Sequence, residues 1–484
     1  MSVPETESSF SYHLWLLALV AGVAGTLLFR LGEVPSQTAA EWRCRQVITG
    51  MVTTGDLLVP RGNGVPHLTK PPLFYWHAVF WSRLLGHAGR FQQRFPSVLC
   101  ALGLLGLTYV WGRSIGGASV GLVAAACLAM TNLLYSMGRR GTYDSQFAFL
   151  CVAALLTANY YRTSRRGWLV PIFALLAALA FLTKGPPVFM FVGLPILIYL
   201  IERRHWNLVF DRRVWPWLLL IVPLSLSWGA VILLKVPEAR KVFLSEVVLP
   251  LGVEVGETTA HHYKSPLFFI ERSPSILFPA LLLLPLVIRQ AWRTRGWRET
   301  DALRLCFWAV SGPLVFLSII PQKQPHYFLP LLAPLSVLYG ITLVETVPTH
   351  IRTKWFYVPG RLLGLSSCVT AGIFIFFFWR IIPESVWFWG GCCVVMLALG
   401  SALVFGSLHF RGASLLSMSL LITWTAVLCF YGSFNIWDLQ FKHGVVFDRP
   451  EYQEEQWKAN FEQYPWLQKI FKVKYHGEQV IETP

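Results

Sequence analysis

Charge is what this chain has least of. Only 14% of its 484 residues are Asp, Glu, Lys or Arg, while 55% are apolar; a soluble domain carries roughly 25% charged and about 45–50% apolar residues. The mean hydropathy of +0.52 excludes an ordinary soluble globule. It also excludes disorder, which needs low hydrophobicity and high charge. Acidic residues are scarcer still, 25 against 41 basic ones, for a formal charge of +16. Such a surplus can signal nucleic-acid binding, but here the basic residues lie mostly between long apolar runs. Anionic lipid headgroups, or a phosphate-bearing lipid, are the more natural partners. The nine Cys form no CxxC and no Cys/His metal spacing, and all but Cys44 fall inside apolar runs, the Cys392-Cys393 pair included. Neither a disulfide framework nor a zinc module is indicated. No internal repeat and no nucleotide-binding module is visible.

What the chain does have is a succession of apolar runs separated by charged clusters, the pattern of membrane-spanning helices. Spans are expected near 13–30, 95–112, 116–134, 145–161, 168–183, 186–201 and 214–234, and again near 275–288, 303–320, 327–346, 361–379, 386–406 and 413–432, about thirteen in all. The first run follows an acidic segment (Glu5, Glu7) and lacks a cleavage site in good context, so it reads as a retained span, not a signal peptide. With a cytoplasmic N-terminus, seventeen Lys and Arg fall in the short inner connections and five in the short outer ones, which favours that orientation. Residues 31–94 and 235–274 then form long outer loops, and 433–484 an outer C-terminal segment following a membrane domain of 1–432. The first loop keeps Arg43, Arg45, Arg61, Lys70, Arg83, Arg90 and Arg94 on the outer face, against the usual bias, as though an anion is held there.

That loop reads Ala40-Glu41-Trp42-Arg43, then Thr54-Gly55-Asp56-Leu57-Leu58-Val59-Pro60-Arg61, then Asn63-Gly64, Pro66 and Lys70-Pro71-Pro72-Leu73-Phe74-Tyr75-Trp76. The stretch from Pro72 to Leu85 is too short and too interrupted by Arg83 for a span; a surface helix with Trp76 and Trp81 as interface anchors suits it better. These motifs resemble the polyprenyl-phosphate-sugar-dependent glycosyltransferases of the GT-C superfamily, in particular the bacterial aminoarabinose lipid A transferases and the protein mannosyltransferases related to them. The resemblance covers most of the chain, strongly over 40–200 and weakly beyond 350. It implies an all-α polytopic GT-C architecture in the bacterial inner membrane.

The same resemblance carries residue roles. The family has an Asp-Glu pair two residues before Arg43; here its Asp falls on Ala40 and its Glu on Glu41, with Cys44 where a Tyr is common. The catalytic base is therefore expected to be Glu41 or Asp144, unless the chain is inactive. Asp144 follows Arg139-Arg140-Gly141-Thr142-Tyr143 at the mouth of a span, where an ionisable residue is a functional candidate; a plain salt bridge to Arg139 or Arg140 is the alternative. Arg43, Arg61, Lys70 and Lys184 are the donor-phosphate candidates, Lys184 having the alternative of a snorkelling boundary lysine. His261, His262, Lys264, Lys323 and His326 would line the donor or acceptor side. No cofactor is called for. A divalent metal stays open through the adjacent histidines, but Thr69 replaces the Glu that would partner them in the family.

The chemistry implied is transfer of a sugar from a polyprenyl phosphate to an outer-face lipid, cell-envelope glycan or protein, with inversion because no covalent intermediate is needed. Fixed cations would stabilise the phosphate that leaves, and a carboxylate would take the acceptor's proton. A transporter or flippase of lipid-linked sugars, and a catalytically altered relative serving as a binding subunit, explain much of the same pattern.

Overall fold

The computed structural model describes residues 9–350 apart from 30, 33–35, 37, 238, 242–263 and 279, together with 473–476 and 479–482. It is mostly helical. In chain order the main helices are α1 (Ser9–Leu28), α2 (Ala39–Thr54), α3 (Leu73–Leu84), α4 (Arg90–Ala129), α5 (Asn132–Gly138), α6 (Asp144–Ser164), α7 (Leu169–Lys184), α8 (Leu194–Arg203), α9 (Trp215–Lys235), α10 (Leu284–Arg293), α11 (Asp301–Ile319) and α12 (Leu329–His350). Among the described residues four helical stretches are long and apolar enough to cross a membrane: Arg90–Ala129, Trp215–Lys235, Asp301–Ile319 and Pro325–Glu345. Tyr12–Leu28 and Leu169–Lys184 are shorter apolar helices. The expected spans near 361–379, 386–406 and 413–432, and the boundary at 432, lie outside the described residues.

The stretch Arg90–Ala129 is two arms. Gly116 and Gly117 leave helical geometry, Gly117 at φ +83°, a conformation that costs glycine little and other residues much. The chain reverses there. A Cβ on Gly112 would lie 2.9 Å from the Cα of Gly121, and one on Gly121 would lie 2.6 Å from the Tyr109 carbonyl oxygen. Residues nine apart on one helix would be about 13 Å apart, so the arms pack as a hairpin, as the two expected spans at 95–112 and 116–134 require. α12 seals this hairpin from the core side, where Leu331, Leu332, Ala333 and Val337 are fully buried.

The expected span near 275–288 is not one helix. Short turns at Phe268–Glu271 and Ser273–Leu277 end at Phe278, whose ψ of 138° is extended, before α10 starts at Leu284 with a proline in its first turn. The carbonyls released by the break are collected by Asn132: its backbone N–H donates to Phe278 O at 3.1 Å and its Nδ2 to Ser275 O at 2.7 Å.

The first loop is folded. Thr38 caps α2, its hydroxyl accepting from Glu41 N–H at 3.2 Å. Arg61–Gly62 pairs antiparallel with Val65–Pro66 across Asn63 and Gly64, both at positive φ, the backbone a tight two-residue hairpin asks of Asn-Gly. Two indoles pin the strand before it: Trp76 Nε1 donates to Leu57 O at 2.6 Å and Trp228 Nε1 to Leu58 O at 2.9 Å. Trp76 is thus a tie between loop and α3. In the C-terminal segment a second hairpin pairs Val473–His476 with Gln479–Glu482, a β element that an all-α reading does not include.

At 21 residues, α6 rises about 30 Å and separates two polar ends. At its C-terminal end Arg162, Arg203 and His205 converge on Asp301 at 3.6, 3.1 and 3.5 Å. Beside them Glu202 accepts from Arg304 at 2.5 and 2.7 Å and from Trp308 Nε1 at 2.6 Å. The cations expected on the inner side therefore gather at one end, and Asp144 stands at the other.

The hairpin packing is tested by two glycines of the same element. Gly121→Val should destabilise the solubilised protein by about 1–3 kcal/mol, seen as a lower melting temperature. Gly106→Ala, where a methyl meets nothing within 4 Å, should leave it unchanged or slightly raised. Equal melting temperatures for the two variants would contradict the packing of the arms.

Candidate active site

The site is built on a buried strut. Glu41, in the first turn of α2, has 0% exposure. Its Oε1 accepts from Arg94 Nε at 2.7 Å and from the Gly141 backbone N–H at 2.9 Å. Arg94 also donates to Leu31 O at 2.7 Å, and Gln93 Nε2 donates to both Glu41 O and Gly141 O. Ser97 Oγ donates to Thr142 O at 3.1 Å. One carboxylate and two neighbouring α4 side chains thereby set the backbone of the turn between α5 and α6.

That turn aims Asp144. Its Oδ2 accepts from the Thr142 hydroxyl at 3.0 Å, and its Oδ1 from Lys184 Nζ at 2.6 Å. The two side chains keep only 7% and 9% exposure. Asp144 starts α6 and Lys184 ends α7. Each charge therefore complements the dipole end on which it sits, a carboxylate at a helix N-terminus and an ammonium at a C-terminus. The rings of Tyr143, Phe147 and Tyr327 stand 5.5, 5.5 and 5.0 Å from Nζ and hold the ammonium by cation–π attraction. His326 Nε2 lies 3.7 Å from Asp144 Oδ1, and Lys70 and Arg140 lie within electrostatic range of that imidazole.

A second ring of groups comes from the first loop. Lys70 Nζ donates to Thr69 O at 3.0 Å, and His67 Nε2 lies 3.1 Å from the Thr69 hydroxyl. Burial holds the His67 imidazole below its ordinary range, and the charges of Arg43 and Lys70 add to this, so it is neutral near pH 7. The Cys44 thiol is pushed up to about 12 by burial, then by Asp144 and Glu41. It stays protonated and is no nucleophile. Arg43 is exposed on α2.

Several expected positions have partners that the sequence did not indicate. Arg139 is not a partner of Asp144: it is buried and donates to Thr26 O and Leu27 O at 2.6 and 3.1 Å, closing the end of α1. Lys184 is a buried ion-pair partner, not a snorkelling lysine. Arg61 donates to Gly64 O at 3.3 Å across its own hairpin. Lys323, 1% exposed, donates to Ser318 O at 2.9 Å and caps the C-terminal end of α11, where released carbonyls attract a cation. Lys264 is exposed, and its backbone N–H donates to Pro321 O at 3.0 Å. His261 and His262 lie outside the described residues. Among the described residues no three His, Cys, Asp or Glu side chains gather as a metal site would need. Sequence reasoning missed Gln93, counted Arg94 only among the cations of the first loop and Tyr143 only as a neighbour of Asp144; a buried arginine and glutamine in a loop-to-helix junction leave no periodic signal.

Comparisons with known proteins bear on the fold and on the sequence. A family model described as dolichyl-phosphate-mannose-protein mannosyltransferase matches residues 69–230, the stretch from Thr69 through Asp144 and Lys184 to α9. The undecaprenyl phosphate-alpha-4-amino-4-deoxy-L-arabinose arabinosyl transferase of Serratia proteamaculans is 28% identical over 342 residues, which is 68% of this chain and 59% of that protein. The enzyme of the same name from Edwardsiella ictaluri is 28% identical over 337 residues, 67% of this chain and 57% of that protein. The chain thus spans under two thirds of the length of these two relatives. Among solved structures, ArnT from Cupriavidus metallidurans bound to undecaprenyl phosphate superposes with a TM-score of 0.71 at 18% identity, covering 87% of this chain and 77% of that one. The chain has the fold of ArnT and resembles the aminoarabinose transferases in sequence.

The strut has its own test. Glu41→Gln removes the carboxylate that Arg94 Nε meets at 2.7 Å, and breaking a buried pair in this way costs about 3–5 kcal/mol. The expected result is a clear drop in melting temperature. An unchanged melting temperature together with complete loss of turnover would mean that Glu41 takes part in the chemistry.

Proposed function

We propose that this chain is an inner-membrane glycosyltransferase that moves a sugar from a polyprenyl phosphate to an acceptor at the outer face, with Asp144 as general base. The observation that carries the reading is the buried Asp144–Lys184 pair at 2.6 Å, with His326 at 3.7 Å from the carboxylate and Lys70 and Arg140 within electrostatic range of that imidazole, at one end of the fold it shares with ArnT. A net-positive cluster around a single carboxylate suits a phosphate that must be bound while a proton is removed next to it.

In the free protein Asp144 neutralises Lys184. A donor phosphate offers that ammonium a second anion, and Lys70 and Arg43 add charge from the first loop. As Lys184 turns to the phosphate, the Asp144 carboxylate is released to accept a proton. The acceptor oxygen then attacks the anomeric carbon while its proton passes to Asp144. The bond from that carbon to the phosphate oxygen breaks, and the electron pair leaves with the polyprenyl phosphate, whose charge the lysines stabilise in a site of low dielectric. One displacement inverts the anomeric carbon. Glu41, with 0% exposure, is a positioning residue in this scheme, acting through Gly141. The resemblance in sequence supports undecaprenyl phosphate 4-amino-4-deoxy-L-arabinose as donor and lipid A as acceptor.

Protein reconstituted in nanodiscs with labelled donor and lipid A should release undecaprenyl phosphate. Asp144→Asn should slow release by about 10²-fold or more, the usual worth of a positioned base. Lys70→Ala should cost about 10²-fold, and Arg43→Ala less because its side chain is exposed. Movement of the intact lipid-linked sugar between leaflets without release of undecaprenyl phosphate would replace this reading with that of a flippase.

A further inference from the structure

Beside the ion pair runs a hydrogen-bond chain that the transfer scheme does not use. The Thr183 hydroxyl donates to Leu179 O at 2.8 Å, one turn back on α7. Having one proton, it can only accept from Gln146, whose Nε2 lies 3.3 Å away. The amide is thereby oriented: Gln146 turns its Oε1 to His77 Nδ1, 3.0 Å away on α3. An amide oxygen accepts only, so His77 must carry its proton on Nδ1. Its Nε2 is left with a lone pair. His77 is half-buried, and burial holds its imidazole below the ordinary range, which keeps that lone pair unprotonated near pH 7. Nε2 is not among the fully enclosed side-chain atoms lacking a partner, and the contact with Gln146 is the hydrogen bond this ring makes.

The position is as telling as the tautomer. Gln146 follows Asp144 by two residues, and Thr183 precedes Lys184. The chain that fixes the imidazole is thus built on the same two helix ends as the ion pair. A surface helix, α3, has its histidine locked to the first turn of α6 with one edge accessible and able only to accept.

On the basis of the transferase reading above, we propose that His77 is a substrate-binding residue whose Nε2 accepts a hydrogen bond from a hydroxyl or amino group of the transferred sugar or of its acceptor. The lysines and arginines of the cluster can only donate, so His77 supplies an acceptor beside them. It would discriminate against a substrate lacking the matching hydroxyl or amino group, because the lone pair would then be left without a partner.

Two measurements on the full chain in nanodiscs test this. The first is carbethoxylation of His77 by diethyl pyrocarbonate, followed by mass spectrometry with undecaprenyl phosphate 4-amino-4-deoxy-L-arabinose alone and with lipid A alone, each at a concentration shown to saturate binding. The expected result is protection of about tenfold by one of them, which identifies whether the partner is the donor sugar or the acceptor. The second is kinetic. His77→Ala should raise KM for that same substrate about tenfold, the worth of one hydrogen bond, with kcat little changed. His77→Gln, which can place an amide oxygen near the Nε2 position, should recover most of the loss, and His77→Asn, which mimics Nδ1, should not. Protection by neither lipid, or equal behaviour of the Gln and Asn variants, overturns the proposal. Wild-type protein that binds and protects but releases no undecaprenyl phosphate would sink the transferase reading while leaving His77 as a binding residue.

Discussion

The arrangement depends on one buried contact, Asp144 Oδ1 to Lys184 Nζ at 2.6 Å. Taking two charges out of water costs several kcal/mol per ion, and attraction recovers this only where further hydrogen bonds and dipoles help. Each aid is present. Thr142 donates to the carboxylate, three aromatic rings surround the ammonium, and the antiparallel ends of α6 and α7 offer dipoles of the right sign to both. The charges are therefore affordable where they stand, and the pair in turn fixes how the two helix ends meet.

Two carboxylates that sequence reasoning treated as rivals have opposite surroundings. Glu41 faces inward to Arg94 and the Gly141 N–H, and is sealed. Asp144 keeps 7% exposure, with a lysine, a histidine and a tyrosine ring around it. With Ala40 in place of an aspartate, the first loop brings cations and an uncharged imidazole to the cluster, while the carboxylate comes from the membrane domain. Glu41 keeps a part in the site because the turn it holds leads directly into α6.

Much of the architecture was legible in the sequence because apolar runs of spanning length are a strong signal. The reversal at Gly116–Gly117 fell at the start of the second of two expected spans, and the Asn63-Gly64 hairpin lay inside a quoted motif. The expected span near 275–288 failed because apolar content alone cannot show where Asn132 collects the carbonyls of a broken helix. In the site, Asp144, Lys184, Lys70 and His326 were named before their proximity was known, Asp144 as an ionisable residue at a span end and the other three through the family resemblance. Arg61 and Lys323 were named as well, and the carbonyls they meet, in a hairpin and at a helix end, were not foreseen. Composition does not show which backbone carbonyl a cation meets. Gln146 and Thr183 left no trace for a similar reason: their importance lies in the direction of a proton.

The central physical claim is that Lys184 is shared between Asp144 and the donor phosphate. Affinity of purified protein for undecaprenyl phosphate, compared between wild type and Asp144→Asn, tests it most directly. Removing the competing carboxylate frees the ammonium and lifts a repulsion worth up to about 4 kcal/mol at 4 Å for an effective dielectric of 20. The variant should therefore bind the lipid phosphate about tenfold or more tightly while its transfer activity is lost. Weaker binding by Asp144→Asn would contradict the exchange and leave the pair as a structural salt bridge.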